Sequence, residues 1–212
     1  MKIAIFIPTL FRPHNVERVI DSIRNTTDIP YEIYLMCPKD DFETISVIEK
    51  FGCKYWTDEG DMRFVKRIQF MYENTDEEWF LTGADDLVFQ PFWFEQAIEY
   101  MDSASVISFD DQCNPNLPGT NFLIKREYIE KYSGVVDSPN TVFHQGYYHN
   151  YCDNELVAVA SRRGQFAKSQ GIIKHYHPTV DRAPWDGVYM MAQSYMIDDA
   201  NLFASREKLW IF

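Results

Sequence analysis

Two adjacent carboxylates, Asp85 and Asp86, stand in the run Thr-Gly-Ala-Asp-Asp-Leu-Val-Phe at 82–89, just ahead of Gln90 and Pro91. Successive residues of a strand face opposite sides, so both acids share a surface only where the strand has ended and the backbone turns. A hard divalent cation suits such a pair, because Mg2+ and Mn2+ take carboxylate oxygens and share the rest of their shell with phosphate and water. A plain surface turn is the other reading, since Asp is a common turn residue and Gly83 lies close by. His175 and His177 follow the apolar segment 171–173 and alternate around Tyr176, which turns both imidazoles to one face. Imidazole is a second ligand type for Mn2+, although isolated histidines are as readily structural. Arg63, Lys66 and Arg67 share one helix face, placed either to meet a diphosphate or to form a solvated face paired with nearby acids. The rings and amides at 143–151 (Phe-His-Gln-Gly-Tyr-Tyr-His-Asn-Tyr) suit a sugar pocket and also suit a packed core.

Alternating strand and helix signals must position these groups. Residues 2–10 read as a buried strand, and Pro13 opens a helix with Val16, Val19, Ile20 and Ile23 at helical spacing. Strands follow at 31–36, 53–56, 78–81 and 105–109, the last ending in Asp110 and Asp111. Helices are expected at 41–51 with Gly52 as the stop, at 61–74, at 92–101 and at 154–163. This order predicts an α/β fold with a mostly parallel central sheet flanked by helices. Ligands of such sheets bind beyond the carboxyl ends of the strands. Four polar clusters fall there: 9–12, 38–41, 58–61 and 85–86.

The chain has 212 residues, enough for one domain with an appendage, and 46% of them are hydrophobic. A formal net charge of -12 argues against duplex nucleic acid and anionic membrane as partners. Cys37, Cys53, Cys113 and Cys152 lack C-x-x-C spacing, which fits reduced thiols and a cytoplasmic location. The apolar run at 3–7 is too short for a signal peptide or a membrane span.

Several segments together resemble the family 2-like glycosyltransferases with a GT-A (Rossmann-like) nucleotide-diphospho-sugar transferase fold. They are Ile-Pro-Thr-Leu-Phe-Arg-Pro at 7–13, Trp-Phe-Leu-Thr-Gly-Ala-Asp-Asp at 79–86, Cys-Asp-Asn-Glu-Leu at 152–156 and Lys-His-Tyr-His-Pro at 174–178, with Gly119 to Glu127 between them. The resemblance implies a catalytic domain at 1–180 and a C-terminal helical tail at 181–212. It implies a metal-dependent, inverting transfer of sugar from a nucleotide-diphosphate donor, a UDP-sugar being expected, to an acceptor hydroxyl. Asp85 takes the place of the second Asp of the family's D-x-D element, with Ala84 between it and Gly83, which replaces the first. Mn2+ or Mg2+ would then be held by Asp85, Asp86 and His175. Pro8, Thr9, Arg12, Arg63, Lys66, Arg67, Ala84 and Asp85 fall on the donor side, and Gly119, Thr120, Asn121, Tyr148, Glu155 and His177 on the acceptor side. Asp153 takes the place of the general base, with Cys152 where a Glu is usual; from the residues alone, Asp153 also reads as the cap of the following helix. The tail, helical at 185–203, would lid the site or pair with a second copy in a homodimer. A sugar nucleotidyltransferase is a second reading, disfavoured by the missing glycine-rich first loop. A binding module that kept the fold and lost the chemistry is a third.

Overall fold

The computed structural model describes residues 1–60, 63–113 and 118–211. Its centre is an eight-stranded sheet in the order β3-β2-β1-β4-β7-β6-β8-β5. The strands are β1 (Ile3–Pro8), β2 (Tyr31–Pro38), β3 (Lys54–Asp58), β4 (Trp79–Thr82), β5 (Leu87–Phe89), β6 (Val106–Asp110), β7 (Phe122–Lys125) and β8 (Phe166–His175). Pairings β1–β2, β1–β4, β2–β3 and β6–β8 are parallel. Strand β7 runs antiparallel to both neighbours, and β5 runs antiparallel to β8. The parallel half follows from the strand–helix–strand order at the N-terminus; β7 is reversed because no helix separates β6 from β7 among the described residues.

Period-two burial divides the core in two. Ile3, Ile5 and Ile7 of β1 point to one face, where Val16, Val19, Ile20 and Ile23 of α1 (Pro13–Thr26) cover them together with Ile48 of α2 (Phe42–Lys50). Ala4 and Phe6 point to the other face, beneath Val65, Ile68 and Met71 of α3 (Phe64–Glu73). Pro13 sits in the first turn of α1, where its missing N–H costs nothing. Asp41 accepts from the Thr44 amide as the N-cap of α2.

Several expected boundaries shift. The helix expected at 92–101 contracts to α4 (Glu95–Ile98) flanked by turns, with Phe92 at a left-handed φ of 66°. The helix expected from Asp61 begins at Phe64, and Asp61 itself lies outside the described residues. Residues 87–89 form a strand of their own, because Leu87 to Phe89 can pair with His175 to Ile173 of the long β8. Helix α5 (Arg126–Tyr132) follows β7 directly, and α6 (Cys152–Arg162) precedes β8. The tail is two helices, α7 (Gly187–Ser194) and α8 (Met196–Arg206), broken at Tyr195. Both pack on the same chain, and no helix among the described residues is long and apolar enough to cross a membrane.

Candidate active site

Strands β1 and β4 end side by side, and their last carbonyls and amides set the floor of the site. The Gly83 amide donates to the Phe6 carbonyl at 2.8 Å, and a Cβ at 83 would lie 2.9 Å from that same oxygen. The backbones run too close for a side chain, so the chain has glycine where the D-x-D pattern begins. The next turn delivers Asp85 and Asp86 to different partners, and both are buried.

Asp85 is fully engaged. Its Oδ2 accepts from the Thr9 hydroxyl at 2.7 Å, and its Oδ1 accepts from Arg12 at 3.2 Å and Asn15 at 3.5 Å. Burial raises its carboxyl, the neighbouring Asp86 raises it further, and the Arg12 charge opposes both. Asp86 differs in kind. Its Oδ2 accepts from the Tyr189 hydroxyl at 3.0 Å and meets His175 Nε2 at 3.2 Å, while its buried Oδ1 has no partner. Burial alone would raise Asp86, but the His175 charge and hydrogen bond outweigh it and hold the carboxyl below the ordinary range. Burial lowers His175 in turn, and Asp86 more than reverses this, pushing the imidazole up to about 10. A divalent cation at the unpartnered Oδ1 could displace the proton of His175 and take that imidazole as a second donor. Asp86 and His175 could hold one, while the oxygens of Asp85 are taken up by Thr9, Arg12 and Asn15.

Arg12 ties this floor to the tail. Its Nε and NH2 donate to Asp186 at 2.8 and 2.6 Å, and its guanidinium lies 3.9 Å from the centre of the Tyr189 ring. Asp186 also caps α7, accepting from the Val188 and Tyr189 amides, so one carboxylate starts the helix and orients the arginine. Sequence reasoning missed Tyr189 and Asp186 as site residues. The Asp-Gly step at 186–187 was the available signal, as an N-cap followed by a helix.

Two cavities lie beside this floor, Asp85 lining the first and His175 the second. The first, of about 450 Å³, is lined by Pro8, Thr9, Arg12, Arg63, Arg67 and Asp85, with α7 closing it from above. Arg67 is committed there to Asp58, at 2.7 and 3.1 Å, and to the Thr9 carbonyl at 2.8 Å, so it braces the first loop. Arg63 stacks on the Tyr148 ring at 3.5 Å, and Tyr148 stacks on Tyr195 at 4.0 Å. Exposed Lys66 does not line this cavity, and Ala84 packs against the core. The second cavity, of about 480 Å³, is lined by Asp111, Cys113, Thr120, Asp153, His175 and His177 among others. Phe64 and His149 border both cavities.

Asp153 faces the second cavity half-buried, one residue inside α6; the N-cap is Tyr151, in a left-handed conformation. Burial raises its carboxyl above the usual range, against the amides of Asn154 and Asp153. Asp111, Cys113 and His175 bring their ligand atoms within 4.8 Å of one another on the same wall, a cluster the sequence reading did not anticipate. Among the residues expected on the acceptor side, Thr120 and His177 line this cavity, whereas Tyr148 stands in the first one. Gly119 is spacing for the backbone, since a Cβ there would lie 1.9 Å from the Phe109 carbonyl oxygen. Asn121 is buried and donates to Thr120 at 3.3 Å. Glu155 is the clearest departure: it is fully buried in the core and bound by Arg206 and Tyr147, so it reaches neither cavity.

The fold has close parallels among solved structures. Glucosyl-3-phosphoglycerate synthase from Mycobacterium tuberculosis, in a complex with Mn2+, uridine diphosphate and glucosyl-3-phosphoglycerate, superposes with a TM-score of 0.63 at 14% identity, over 91% of this chain and 76% of that one. The mannosyltransferase PcManGT from Pyrobaculum calidifontis, in complex with GDP-Man and Mn2+, gives 0.67 at 13% identity, over 97% of this chain and 64% of that one. TarS of S. aureus gives 0.58 at 12% identity, over 86% and 59%. These likenesses establish the GT-A fold. No curated protein matches the chain in sequence. The sequence model of glycosyl transferase family 2 matches residues 4–121, more than half of the chain, from β1 through the Asp85–Asp86 turn to the residue before β7. The chain belongs to glycosyl transferase family 2.

Proposed function

We propose that the protein is a divalent-cation-dependent, inverting glycosyltransferase that moves a sugar from a nucleoside-diphosphate donor to an acceptor hydroxyl, with Asp153 as general base. The observation that carries this reading is the unpartnered Oδ1 of buried Asp86, whose other oxygen meets His175, a residue of the second cavity's wall. The named complexes of similar fold contain uridine diphosphate or GDP-Man with Mn2+, which supports a donor of this class. The first cavity takes the nucleotide: Thr9 and Arg12 lie on its loop, and Arg63 offers its charge at the rim. Asp86 and His175 would hold the cation, which when bound supplies positive charge opposite the leaving diphosphate. Asp153, across the second cavity, accepts the acceptor's hydroxyl proton as its oxygen attacks the anomeric carbon. The bond from that carbon to the diphosphate oxygen breaks, and the configuration inverts because attack comes from the opposite face. The carboxyl raised by burial is a stronger base than an exposed aspartate.

Nucleoside diphosphate release from UDP-, GDP-, TDP- and ADP-sugars, with Mn2+ or Mg2+, tests this reading. Slow hydrolysis of one donor by the wild type, lost in Asp86→Ala, is expected. Failure of every donor to bind in the presence of metal would refute it.

A further inference from the structure

The transferase reading leaves the acceptor open, and the second cavity has a charge pattern that bears on it. Asp111 and Asp153 both present carboxylates there, and no lysine or arginine lines it among the described residues. Residues 114–117, outside the described set, are Asn-Pro-Asn-Leu and bring no charge by sequence. Arg182 is the cation closest to this wall by hydrogen bonding, and its guanidinium is held on backbone carbonyls: NH1 donates to Asp111 at 3.4 Å and His175 at 3.3 Å, NH2 to Gln112 at 2.8 Å. His175 is already engaged by Asp86 at 3.2 Å. A bound donor adds no net positive charge, because the single charges on the two phosphates of a nucleoside diphosphate sugar offset one divalent cation.

We propose that the acceptor is an uncharged polyhydroxy compound, a saccharide offering neighbouring hydroxyls, and not a molecule carrying phosphate or carboxylate. This rests on the transferase reading above. An anionic group would meet two carboxylates with no lysine or arginine on this wall to receive it, and like-charge juxtaposition of this kind selects against a ligand. Hydroxyls find the reverse. The two carboxylates accept paired O–H donors, and the side chains of Thr120 and Asn154 on the same wall both donate and accept.

Matched probes on one scaffold test the proposal: methyl glucoside, glucose 6-phosphate and glucosamine. Their binding to the full chain is measured by ligand-observed NMR, with and without Mg2+ and UDP, GDP, TDP or ADP. The neutral glycoside should bind at least about tenfold more tightly than the phosphate ester, a difference the like charges readily supply. Asp111→Asn, which removes one charge and keeps the shape, should narrow the gap. Equal or tighter binding of glucose 6-phosphate, a preference for cationic glucosamine, or no binding of any probe would overturn the proposal. Nucleotide binding is read in the same samples: absence of nucleotide binding would refute the transferase reading, whereas nucleotide binding with a reversed sugar preference would overturn this proposal alone.

Discussion

Removing Arg206 should unfold much of the molecule's margin of stability while touching neither cavity. Its Nε and NH2 donate to the two oxygens of Glu155 at 2.8 and 2.7 Å, and Glu155 has 0% of its surface exposed. In Arg206→Ala the Tyr147 hydroxyl, at 2.8 Å, would be the remaining side-chain partner of a fully buried carboxylate. Breaking one side of a buried pair costs about 3–5 kcal/mol, against about 5–15 kcal/mol of total stability in a typical domain. The second arm of Arg206, to Asp137, adds little, because that carboxylate is 41% exposed and such pairs contribute about 0–1 kcal/mol. With a urea slope of about 2 kcal/mol per molar, the unfolding midpoint should fall by about 1.5–2.5 M. Equilibrium urea unfolding at pH 7, followed by tryptophan fluorescence, reads this directly. Adding Glu155→Gln to Arg206→Ala should recover part of the loss, since the stranded charge is then gone. Lys50→Ala, which breaks an exposed pair with Glu17, should leave the midpoint where it was. A fall smaller than about 0.5 M in Arg206→Ala, or no recovery in the double variant, would refute the account of a stranded buried charge.

Tyr189→Phe removes the hydroxyl shared by Asp86 and the Tyr176 carbonyl but keeps the ring over Arg12; it should raise the metal concentration for half-maximal turnover and cost about 1 kcal/mol of stability. An unchanged metal requirement in titrations of donor hydrolysis would remove Tyr189 from that role. In the wild type, lowering the pH protonates Asp153 and removes the base, so kcat/KM should fall on an acid limb lying above the ordinary aspartate range; a limb that persists in the residual activity of Asp153→Asn belongs to another group. Gly119→Ala places a methyl 1.9 Å from the Phe109 oxygen and should lower the melting temperature by an amount equivalent to about 1–3 kcal/mol, and a neutral scan would show that the turn has room to move.

Local pattern read the first half of the molecule well. The apolar β1, Pro13 at the head of α1 and the Asp41 cap of α2 are decided by neighbours within a few residues, and they fall within a residue or two of expectation. The turn at Asp85 and Asp86 and its place at the sheet edge followed from the same signals. Pairings across long stretches did not. Tyr189 meets Asp86 across 103 residues and Arg12 meets Asp186 across 174, and no periodicity encodes either. Glu155 misled for a related reason: in the first turn of a helix it reads as a dipole partner or a site acid, and only Arg206, 51 residues on, turns it inward. The division of labour between the two aspartates was equally hidden, because Thr9, Arg12 and Asn15 all converge on one of them.

Asp199 gives the order of synthesis a physical meaning. Its carboxylate accepts from three successive amides, those of Tyr148, His149 and Asn150, at 2.8 to 3.0 Å. That segment is the wall between the two cavities, since His149 borders both. On the ribosome every strand of the sheet emerges before residue 199, so those amides face only water while β1 to β8 are already free to assemble. The backbone of that wall therefore gains its carboxylate only when α8 joins the sheet. A stop codon in α7 would release a chain with the eight strands described above and three wall amides without their Asp199 partner.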